Sequence, residues 1–477
     1  MDLVIPLSRR GEPLYRQVYG GLRQAILGGT FRAGERLPAT RDLAEQLGIS
    51  RTVVVLAYEQ LLAEGFVVGR AGSGTYVPAG VSARRLGTSD APARLRLSRF
   101  GTFSASIAAA LSFPARPSPT PRYDFAYGRS DVECFPFEVW RRMLLRCART
   151  APIRELDYGP AGGSQALREA VCAHLRRSRA VACEPSEVII VNGSQQALDL
   201  IARVLIERGD RVAIEEPGYQ GTREVLRAAG ARLLPIAVDR DGINAVALPD
   251  NARMAFVTPS HQFPSGAILS LARRQMLLDW ARRRNAVIVE DDYDGEFRYE
   301  DQRLESLQGM DTEGRVIYVG TFSRTIFSAL RIGYLIVPKA LQKAFSVAKW
   351  LCDRHTATLE QEALATFIST GMYERHLRRV RRRNTAARNV LLAAIQKFLG
   401  DRVDVTGEGG GAHIVLWLDG RMSEQSAIAA AAAQGVGIYG IAQYFLKPPP
   451  RPGIVLGYSR MRETEIREGI RRLARVL

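Results

Sequence analysis

The apolar positions of the first 78 residues recur at helical spacing in three segments and then alternate. The segment PLYRQVYGGLRQAILGGTF carries a helical pattern that stops at Gly28-Gly29. A second helix is predicted from Thr40 to Leu47, and a third follows Ser50, a residue type that favours the N-cap position. VVGRAGSGTYV then predicts two short strands around a glycine turn. Three helices and a hairpin predict a winged helix-turn-helix over residues 1–78.

From about residue 122 the pattern changes to short apolar runs separated by helical segments. The runs are EVIIV (187–191), RVAI (211–214), RLLPI (232–236), MAFV (254–257), AVIVE (286–290), RVIYV (315–319) and GYLIV (333–337). Short, fully apolar and β-rich runs are typical of a buried, mostly parallel sheet covered by helices. We therefore expect an α/β fold, with a large domain over residues 122–384 and a small α+β domain over residues 385–477.

Between these two regions the composition is different. Residues 79–121 are rich in Pro, Ala, Ser and Arg and contain almost no acidic residue. This composition predicts a flexible basic linker, with a short helix near residues 104–111.

Charge and cysteine usage narrow the class of protein. The net charge of +17 suits a polyanionic partner. No run of 18 apolar residues occurs, and the start MDLVIPLSRR lacks an apolar signal core, so we expect a cytoplasmic protein without a membrane span. The five cysteines form no CxxC pair, which predicts free thiols and no metal site. Lysines are scarce, and the first is Lys339, a bias that arginine-favouring codon usage explains.

Hydroxyl and basic residues stand where a helix-turn-helix would face DNA. Ser50-Arg51-Thr52 opens the third helix, whose N-terminal residues would meet base edges in the major groove. Arg51 can span guanine O6 and N7, and Arg41, one helix earlier, is placed for a backbone phosphate. The wing tip, Arg70 to Thr75, could reach along the minor groove. For any one arginine, a solvated surface charge is the simpler interpretation, and the same holds for ERHLRRVRRRN at 374–384.

The whole arrangement resembles the GntR type of winged helix. Residues 37–77 follow its pattern LP(S/A)xRxLAxxLGxSRxTVxxAYxxLxxEG, with Val53 and Leu56 as small variations. The resemblance implies a double-stranded DNA operator as partner, and use of the winged helix for RNA or protein is the weaker alternative. It implies DNA contacts by Arg41, Ser50, Arg51, Thr52, Arg70, Gly72 and Thr75.

Polar residues follow the strands of the predicted sheet at the edge where ligands of open α/β sheets gather. A glycine at a helix start lets backbone N–H groups bind phosphate, an aromatic face can stack on a ring, and an arginine can clamp a phosphate. A carboxylate beside a pyridine nitrogen keeps that nitrogen protonated, and a nearby phenol can bind the ring oxygen. Each signal alone is weak. The residues are Gly193, Ser194, Gln195, Tyr219, Asp291, Tyr293, Thr321, Ser323, Arg324 and Arg331.

The ordered set is similar to the large domain of the aspartate-aminotransferase class of pyridoxal 5′-phosphate (PLP) enzymes, over about 350 residues. With the GntR-like head, the chain is identified as a member of the MocR-type bacterial transcription regulators, on phrases such as EEPGYQG, TPSHQFPSG and EDDYDGEFRY. The resemblance implies a PLP fold type I domain that senses a small-molecule effector, which could be PLP, a PLP adduct, an amine or an amino acid. It also implies a domain-swapped homodimer.

The chain departs from this family where the Schiff-base lysine should follow Ser323, because Arg324 stands there. Arginine has a very high pKa, so it stays protonated far above neutral pH and is a poor nucleophile. Lys339 lies beyond the next strand. Phe263 replaces the asparagine of the aminotransferases, and Gly221 stands where some relatives use an arginine for an effector carboxylate.

Two accounts of the pocket follow from these departures. The pocket either holds PLP without a covalent bond or has lost it. We expect a DNA-binding regulator with a catalytically inactive sensor domain, and the alternative is a PLP-dependent aminotransferase.

Overall fold

The computed structural model describes residues 5–8, 11–79, 96–108, 120–128, 130–152, 157–298 and 305–477. The chain divides into two compact units, Met1–Arg96 and Leu97–Leu477. Most of the expected linker, residues 80–95 and 109–119, lies outside the described residues, as does the end of its predicted helix.

The first unit is a winged helix-turn-helix, as the apolar spacing predicts. On its first helix Val18, Leu22 and Ile26 are buried at four-residue spacing, which places them on one face. Together with buried residues of the second and third helices, such as Leu43 and Leu61, they form a separate core. The elements are α1 (Leu14–Leu27), α2 (Thr40–Leu47), α3 (Arg51–Ala63) and the antiparallel hairpin β1 (Val68–Arg70) and β2 (Gly74–Tyr76).

The second unit is built on an eight-stranded mixed sheet. Its strands are β4 (Val188–Val191), β5 (Arg211–Glu216), β6 (Arg232–Asp239), β7 (Gly242–Ile243), β8 (Met254–Val257), β9 (Val287–Asp292), β10 (Val316–Thr321) and β11 (Gly333–Ile336). They lie in the order β4-β11-β10-β9-β8-β5-β6-β7. The central pairs from β10 to β6 are parallel, and the pairs that include β11 or β7 are antiparallel. Because the central strands are parallel, their carboxyl ends meet at one edge.

Helices cover both faces of this sheet, so β4, β8 and β10 are buried along their whole length. The helices of the unit are α4 (Arg99–Ile107), α5 (Phe137–Thr150), α6 (Gln165–Arg179), α7 (Ser194–Leu205), α8 (Gln220–Ala229), α9 (Leu271–Arg284), α10 (Leu307–Met310), α11 (Gln342–Asp353), α12 (Thr358–Ser369), α13 (Met372–Phe398), α14 (Glu424–Ala433) and α15 (Glu463–Leu473). In the described ranges, no helix is both long and apolar enough to cross a membrane.

The remaining strands are β3 (Tyr123–Asp124), β12 (Val403–Thr406), β13 (His413–Leu418), β14 (Val436–Gly437), β15 (Tyr439–Gly440) and β16 (Gly453–Gly457). Four of them form an antiparallel sheet of the C-terminal part, in the order β12-β13-β16-β15. The predicted boundary between residues 384 and 385 falls inside α13, whose first half packs on the large sheet's helices and whose second half packs on α15.

Candidate DNA-binding surface and cofactor-like cleft

The N-terminal turn of α3 presents polar side chains at the surface. Ser50 occupies the N-cap position in an extended conformation, although its hydroxyl makes no capping hydrogen bond. Arg51 and Thr52 are exposed in the first turn, and the Arg51 Nε donates to Thr40 Oγ1 over 3.4 Å. Arg41 is exposed in the first turn of α2. The predicted base-reading and phosphate-binding residues therefore lie on exposed turns at the starts of α2 and α3.

The wing carries two arginines rather than the one that the sequence suggested. The Arg70 guanidinium lies 4.7 Å from the ring centre of Tyr76, and Gly72 forms the turn with φ +71°. Arg36 joins the hairpin through a bridge to Tyr76, and a Cβ on Gly74 would lie 2.7 Å from the Arg36 Nε. The sequence pattern missed Arg36 because it precedes the helical segment and has no regular spacing to the wing.

Thr75, the last predicted wing residue, is half-buried on β2, and its carbonyl accepts from the Leu37 N–H over 2.8 Å. This bond ties the wing to the chain segment that leads into α2.

In the second unit, the start of α7 and Arg331 form one cradle. Gly193 is the N-cap of α7 with φ +81°, and the Arg331 Nη2 donates to the Asn192 carbonyl over 3.0 Å. A Cβ on Gly193 would lie 2.6 Å from the same Nη2, so only glycine permits this approach. Ser194 is half-buried and Gln195 exposed in the first turn. A helix N-terminus beside an exposed guanidinium is suited to a phosphate dianion.

The end of β10 adds hydroxyl groups to this edge. The Ser323 N–H donates to Thr321 Oγ1 over 3.1 Å, while Ser323 Oγ is buried without a hydrogen-bond partner among the described residues. A buried hydroxyl without a partner is uncommon in a folded protein, so Ser323 Oγ is available to a polar ligand.

Two adjacent aspartates at the end of β9 have different surroundings. Asp292 forms a buried ion pair with Arg179, with 2.7 Å between Oδ2 and Nε. Asp291 Oδ1 is buried without a partner among the described residues. Burial, together with the charge of Asp292, raises the pKa of Asp291 to about 7. Asp291 is therefore the carboxylate that is available to a cationic group such as a protonated pyridine nitrogen.

A cleft lined by Tyr219, Thr258, Asp291 and Tyr444 opens beside these residues. Tyr219 is 41% exposed and meets the ring of Phe263 edge to face, with 6.1 Å between centres. A Cβ on Gly221 would collide with the Tyr219 ring and lie 2.8 Å from Gln195 Oε1. An arginine at residue 221 would therefore displace Tyr219, which is a physical reason for glycine at this position.

Arg324 lies among phenol rings next to this cleft. Its guanidinium is 4.7 Å from the ring centre of Tyr127, and a Cβ on Gly128 would lie 3.0 Å from its Nη1. Burial opposes the charge, but Tyr127, Tyr219 and nearby Asp294 favour it, and the net effect raises the pKa of Arg324 above its ordinary value. No hydrogen bond or ion pair joins this guanidinium to the described residues. Arg324 therefore presents a permanent cation and no nucleophile.

The neighbouring strand carries the next lysine away from the cleft. β10 and β11 are antiparallel, with Thr321 opposite Gly333 and Tyr318 opposite Ile336. Lys339 follows β11 and so leaves from the edge of the sheet opposite to Thr321, as expected from the sequence.

Three residues that sequence reasoning missed support the cleft from behind. His261 Nδ1 lies 3.0 Å from the Tyr293 hydroxyl and 3.2 Å from Asp294 Oδ2. His413, from β13, bonds the Pro264 carbonyl through Nε2 over 2.9 Å. The cleft is therefore completed by the C-terminal part of the chain. His261 and Asp294 lie in the quoted segments TPSHQFPSG and EDDYDGEFRY, but nothing in the sequence linked either of them to His413.

These residues fit a phosphorylated pyridine cofactor. Ten residues were predicted for it from the sequence. The structure brings Tyr219, Asp291, Arg324 and Arg331 within electrostatic reach of one another, and Tyr293, Thr321 and Ser323 come from adjoining strand ends. The unpartnered atoms of Asp291 and Ser323 and the Gly193 cradle are groups of the kind that a ring nitrogen and a phosphate require.

Comparisons with known proteins agree with both halves of the chain. Residues 14–77 match the family described as bacterial regulatory proteins, gntR family, and residues 127–473 match aminotransferase class I and II. The probable rhizopine catabolism regulatory protein MocR of Rhizobium meliloti is 39% identical over 97% of this chain and 93% of its own. The HTH-type transcriptional regulator TauR of Rhodobacter capsulatus is 34% identical over 95% and 94%.

A solved structure is similar to the second unit. LysN, an α-aminoadipate aminotransferase from Thermus thermophilus complexed with N-(5′-phosphopyridoxyl)-L-leucine, superposes with a TM-score of 0.69 at 31% identity over 74% of this chain and 92% of its own. The two relatives cover nearly the whole chain, and the solved structure covers about three quarters of it. The chain belongs to the MocR-type transcription regulators, in which a GntR-family winged helix precedes an aminotransferase class I and II domain.

Proposed function

We propose that this regulator is a cytosolic homodimer that uses its aminotransferase-like domain as a sensor and not as a catalyst. The observation that carries the proposal is Arg324, a half-buried cation at the position where the family's lysine is expected. A guanidinium keeps its proton at physiological pH and so has no lone pair with which to attack an aldehyde. The sensor's ligand then acts by binding alone.

PLP is the first candidate ligand, held without a covalent bond. Gly193, Ser194, Ser323 and Arg331 would bind the phosphate, and Asp291 would pair with the ring nitrogen. Tyr219 would stack on the ring, and Tyr293, oriented by His261, would bind the ring oxygen. The remaining predicted residues, Gln195 and Thr321, would support the cradle. PLP is an electron sink for reactions at an attached amine, but here these residues only bind and orient it.

The winged helix reads the operator. Arg51 contacts a base edge from the N-terminal turn of α3, while Arg41, Ser50 and Thr52 contact phosphates or neighbouring bases. The wing, with Arg70, Gly72 and Thr75, follows the backbone into the minor groove. A ligand that changes the sensor would change how the two DNA-binding heads of a dimer are placed on two half-sites.

Gel shifts and footprinting on the DNA upstream of the gene that encodes this protein test this function. Arg51→Ala should weaken specific binding by about 1–3 kcal/mol, or roughly 5- to 150-fold, because a bidentate base contact is lost. Arg421→Ala is the matched control, since its side chain is 90% exposed on another part of the chain. A protein that protects no specific sequence, or an Arg51→Ala variant that binds like the control, would exclude the proposal.

The alternative function, a PLP-dependent aminotransferase, requires a nucleophilic amine at the cleft. Lys447 is the lysine to test for this role, because its backbone N–H donates to Glu216 Oε1 at the rim of the cleft over 3.1 Å. Covalent attachment of PLP to Lys447 in the native protein would favour the enzyme over the sensor.

A further inference from the structure

A cluster of two histidines and one aspartate lies behind the cofactor-like cleft. One ring nitrogen of His261, one of His413 and one carboxylate oxygen of Asp294 all lie within 4.8 Å of one another. All three residues are buried, with exposed fractions of 4%, 0% and 3%. The function proposed above uses none of these three atoms to bind its ligand.

The hydrogen bonds of the cluster leave ligand atoms without partners. His413 Nε2 bonds the Pro264 carbonyl over 2.9 Å and so carries the proton, which leaves a lone pair on Nδ1. That Nδ1 is buried without a partner among the described residues. A backbone carbonyl that orients the far nitrogen of a histidine is the usual support for a metal-binding imidazole.

The other two residues have the spacing of neighbouring metal ligands. Ligands that each lie about 2.0–2.2 Å from a tetrahedral zinc ion are roughly 3.3–3.5 Å apart. His261 Nδ1 and Asp294 Oδ2 are 3.2 Å apart, and the imidazole rings of His261 and His413 have centres 5.1 Å apart at 77°. Two imidazoles on one tetrahedral zinc ion place their ring centres at roughly this separation.

We propose that His261, His413 and Asp294 form a binding site for a zinc-like divalent cation. Two imidazole nitrogens and a carboxylate oxygen are a ligand set that suits zinc and other first-row metals, with water or the nearby Tyr293 hydroxyl as a further ligand. Separations within the cluster reach up to 4.8 Å, so the longest must contract by up to about 1.4 Å to reach metal-ligand geometry. The site is of the histidine and carboxylate type, so a search for paired cysteines could not have found it.

The position of the site gives the metal a structural consequence. His261 and Asp294 follow strands β8 and β9 of the large sheet, whereas His413 begins β13 of the C-terminal sheet. A bound cation would join these two parts and would fix His261, and the Tyr293 hydroxyl, which lies 3.0 Å from His261 Nδ1, would then face the cation in place of that nitrogen. The metal would therefore hold together the wall of the cleft that faces the ring oxygen of a ligand.

Metal content and a cobalt spectrum of the full-length, untagged protein test the site. After chelation and dialysis, one equivalent of Zn²⁺ should rebind per chain, and Co²⁺ should give visible absorption bands of low-symmetry coordination. His413→Gln and the near-isosteric Asp294→Asn should each lower the affinity by at least about 10- to 100-fold, a loss typical even of supporting residues. Zn²⁺ should raise the Tm of the native protein and not that of either variant.

Two control variants separate this site from others. His355→Gln removes a histidine outside the cluster and should bind as the native protein does. The thiols of Cys172 and Cys183 are buried with their Sγ atoms 3.2 Å apart, and they are the alternative binding site for a soft metal ion. A Cys172→Ser, Cys183→Ser double variant removes both thiols and should keep the cobalt bands. A folded native protein without stoichiometric Zn²⁺, or bands that survive in both His413→Gln and Asp294→Asn, would overturn the proposal.

Discussion

At residue 324, the difference between arginine and lysine determines whether the cleft contains an amine that can act as a nucleophile. Both side chains carry a positive charge, but only lysine can lose its proton near neutral pH when it is buried. The surrounding Tyr127, Tyr219 and Asp294 raise the pKa of Arg324, so this environment favours the charged form further.

Arg324→Lys should therefore restore covalent binding of PLP if the rest of the pocket is intact. In the native protein, borohydride treatment in the presence of PLP should leave no attached cofactor, whereas the variant should retain about one equivalent. Arg324→Gln is the matched control, because it removes the charge without adding an amine. Absorption spectroscopy and mass spectrometry measure the result. A variant that binds no PLP would indicate that the pocket has lost its cofactor.

A second prediction concerns Asp291 and the pH dependence of the free energy of unfolding. Its pKa of about 7 in the folded chain exceeds the ordinary value of 3.8, because burial and Asp292 oppose its charge. The folded state thus keeps a proton that the unfolded state loses. The stabilisation is complete below about pH 4 and is lost as the pH rises through 7, by up to about 4 kcal/mol in all.

Asp291→Asn should remove this part of the pH dependence. Between about pH 5 and pH 8 the free energy of unfolding should fall by less in the variant than in the native protein. Urea denaturation at several pH values measures the difference. Asp292→Asn is the contrasting control, since it removes the carboxylate charge of the buried ion pair with Arg179 and should destabilise at every pH in that range. A native slope in Asp291→Asn would show that Asp291 is ionised throughout.

At the scale of elements, the local pattern of apolar residues was sufficient to predict the helices of the winged helix and the strands of the large sheet. α2 runs from Thr40 to Leu47 as the apolar spacing and the following glycine predict, and the seven apolar runs became strands of the large sheet. Features that depend on distant residues were not predictable. His261 and His413 meet only because β13 packs beside the cleft, and the Ser50 hydroxyl makes no capping bond although Ser50 holds the N-cap position.

Variants of the wing hairpin should distinguish contacts to DNA phosphates from contacts to bases. Arg36 and Arg70 lie on the wing and are exposed, so each should neutralise one phosphate. Arg36→Ala or Arg70→Ala should weaken binding to operator and scrambled DNA alike and lower the slope of log K against log salt by about one. Arg51→Ala should instead reduce the preference for the operator. Fluorescence anisotropy over a salt series measures both quantities.

A wing variant that loses only operator binding would contradict this assignment and would place a base contact on the wing. Arg36 belongs to the wing only through its bridge to Tyr76. The sequence alone indicated only Arg70.

At the scale of the whole molecule, two units with separate cores are joined by a basic segment. The winged helix has a core of its own around Val18, Leu22, Leu43 and Leu61, so residues 1–79 should fold without the second unit. A monomeric winged helix contacts one half-site. In the proposed homodimer the second head binds at the high effective concentration that the dimer provides.

Residues 1–79 should therefore bind the two-half-site operator about 10²- to 10⁴-fold more weakly than the full chain, because avidity is lost and no protein–DNA contact of the head is removed. On DNA with a single half-site, the fragment and the full chain should bind with similar affinity. Anisotropy titrations on both DNAs, with light scattering to establish the oligomeric state, measure the effect. Equal binding of the fragment and the full chain to the operator would mean that the aminotransferase-like unit does not pair the heads, and would limit its role to ligand binding.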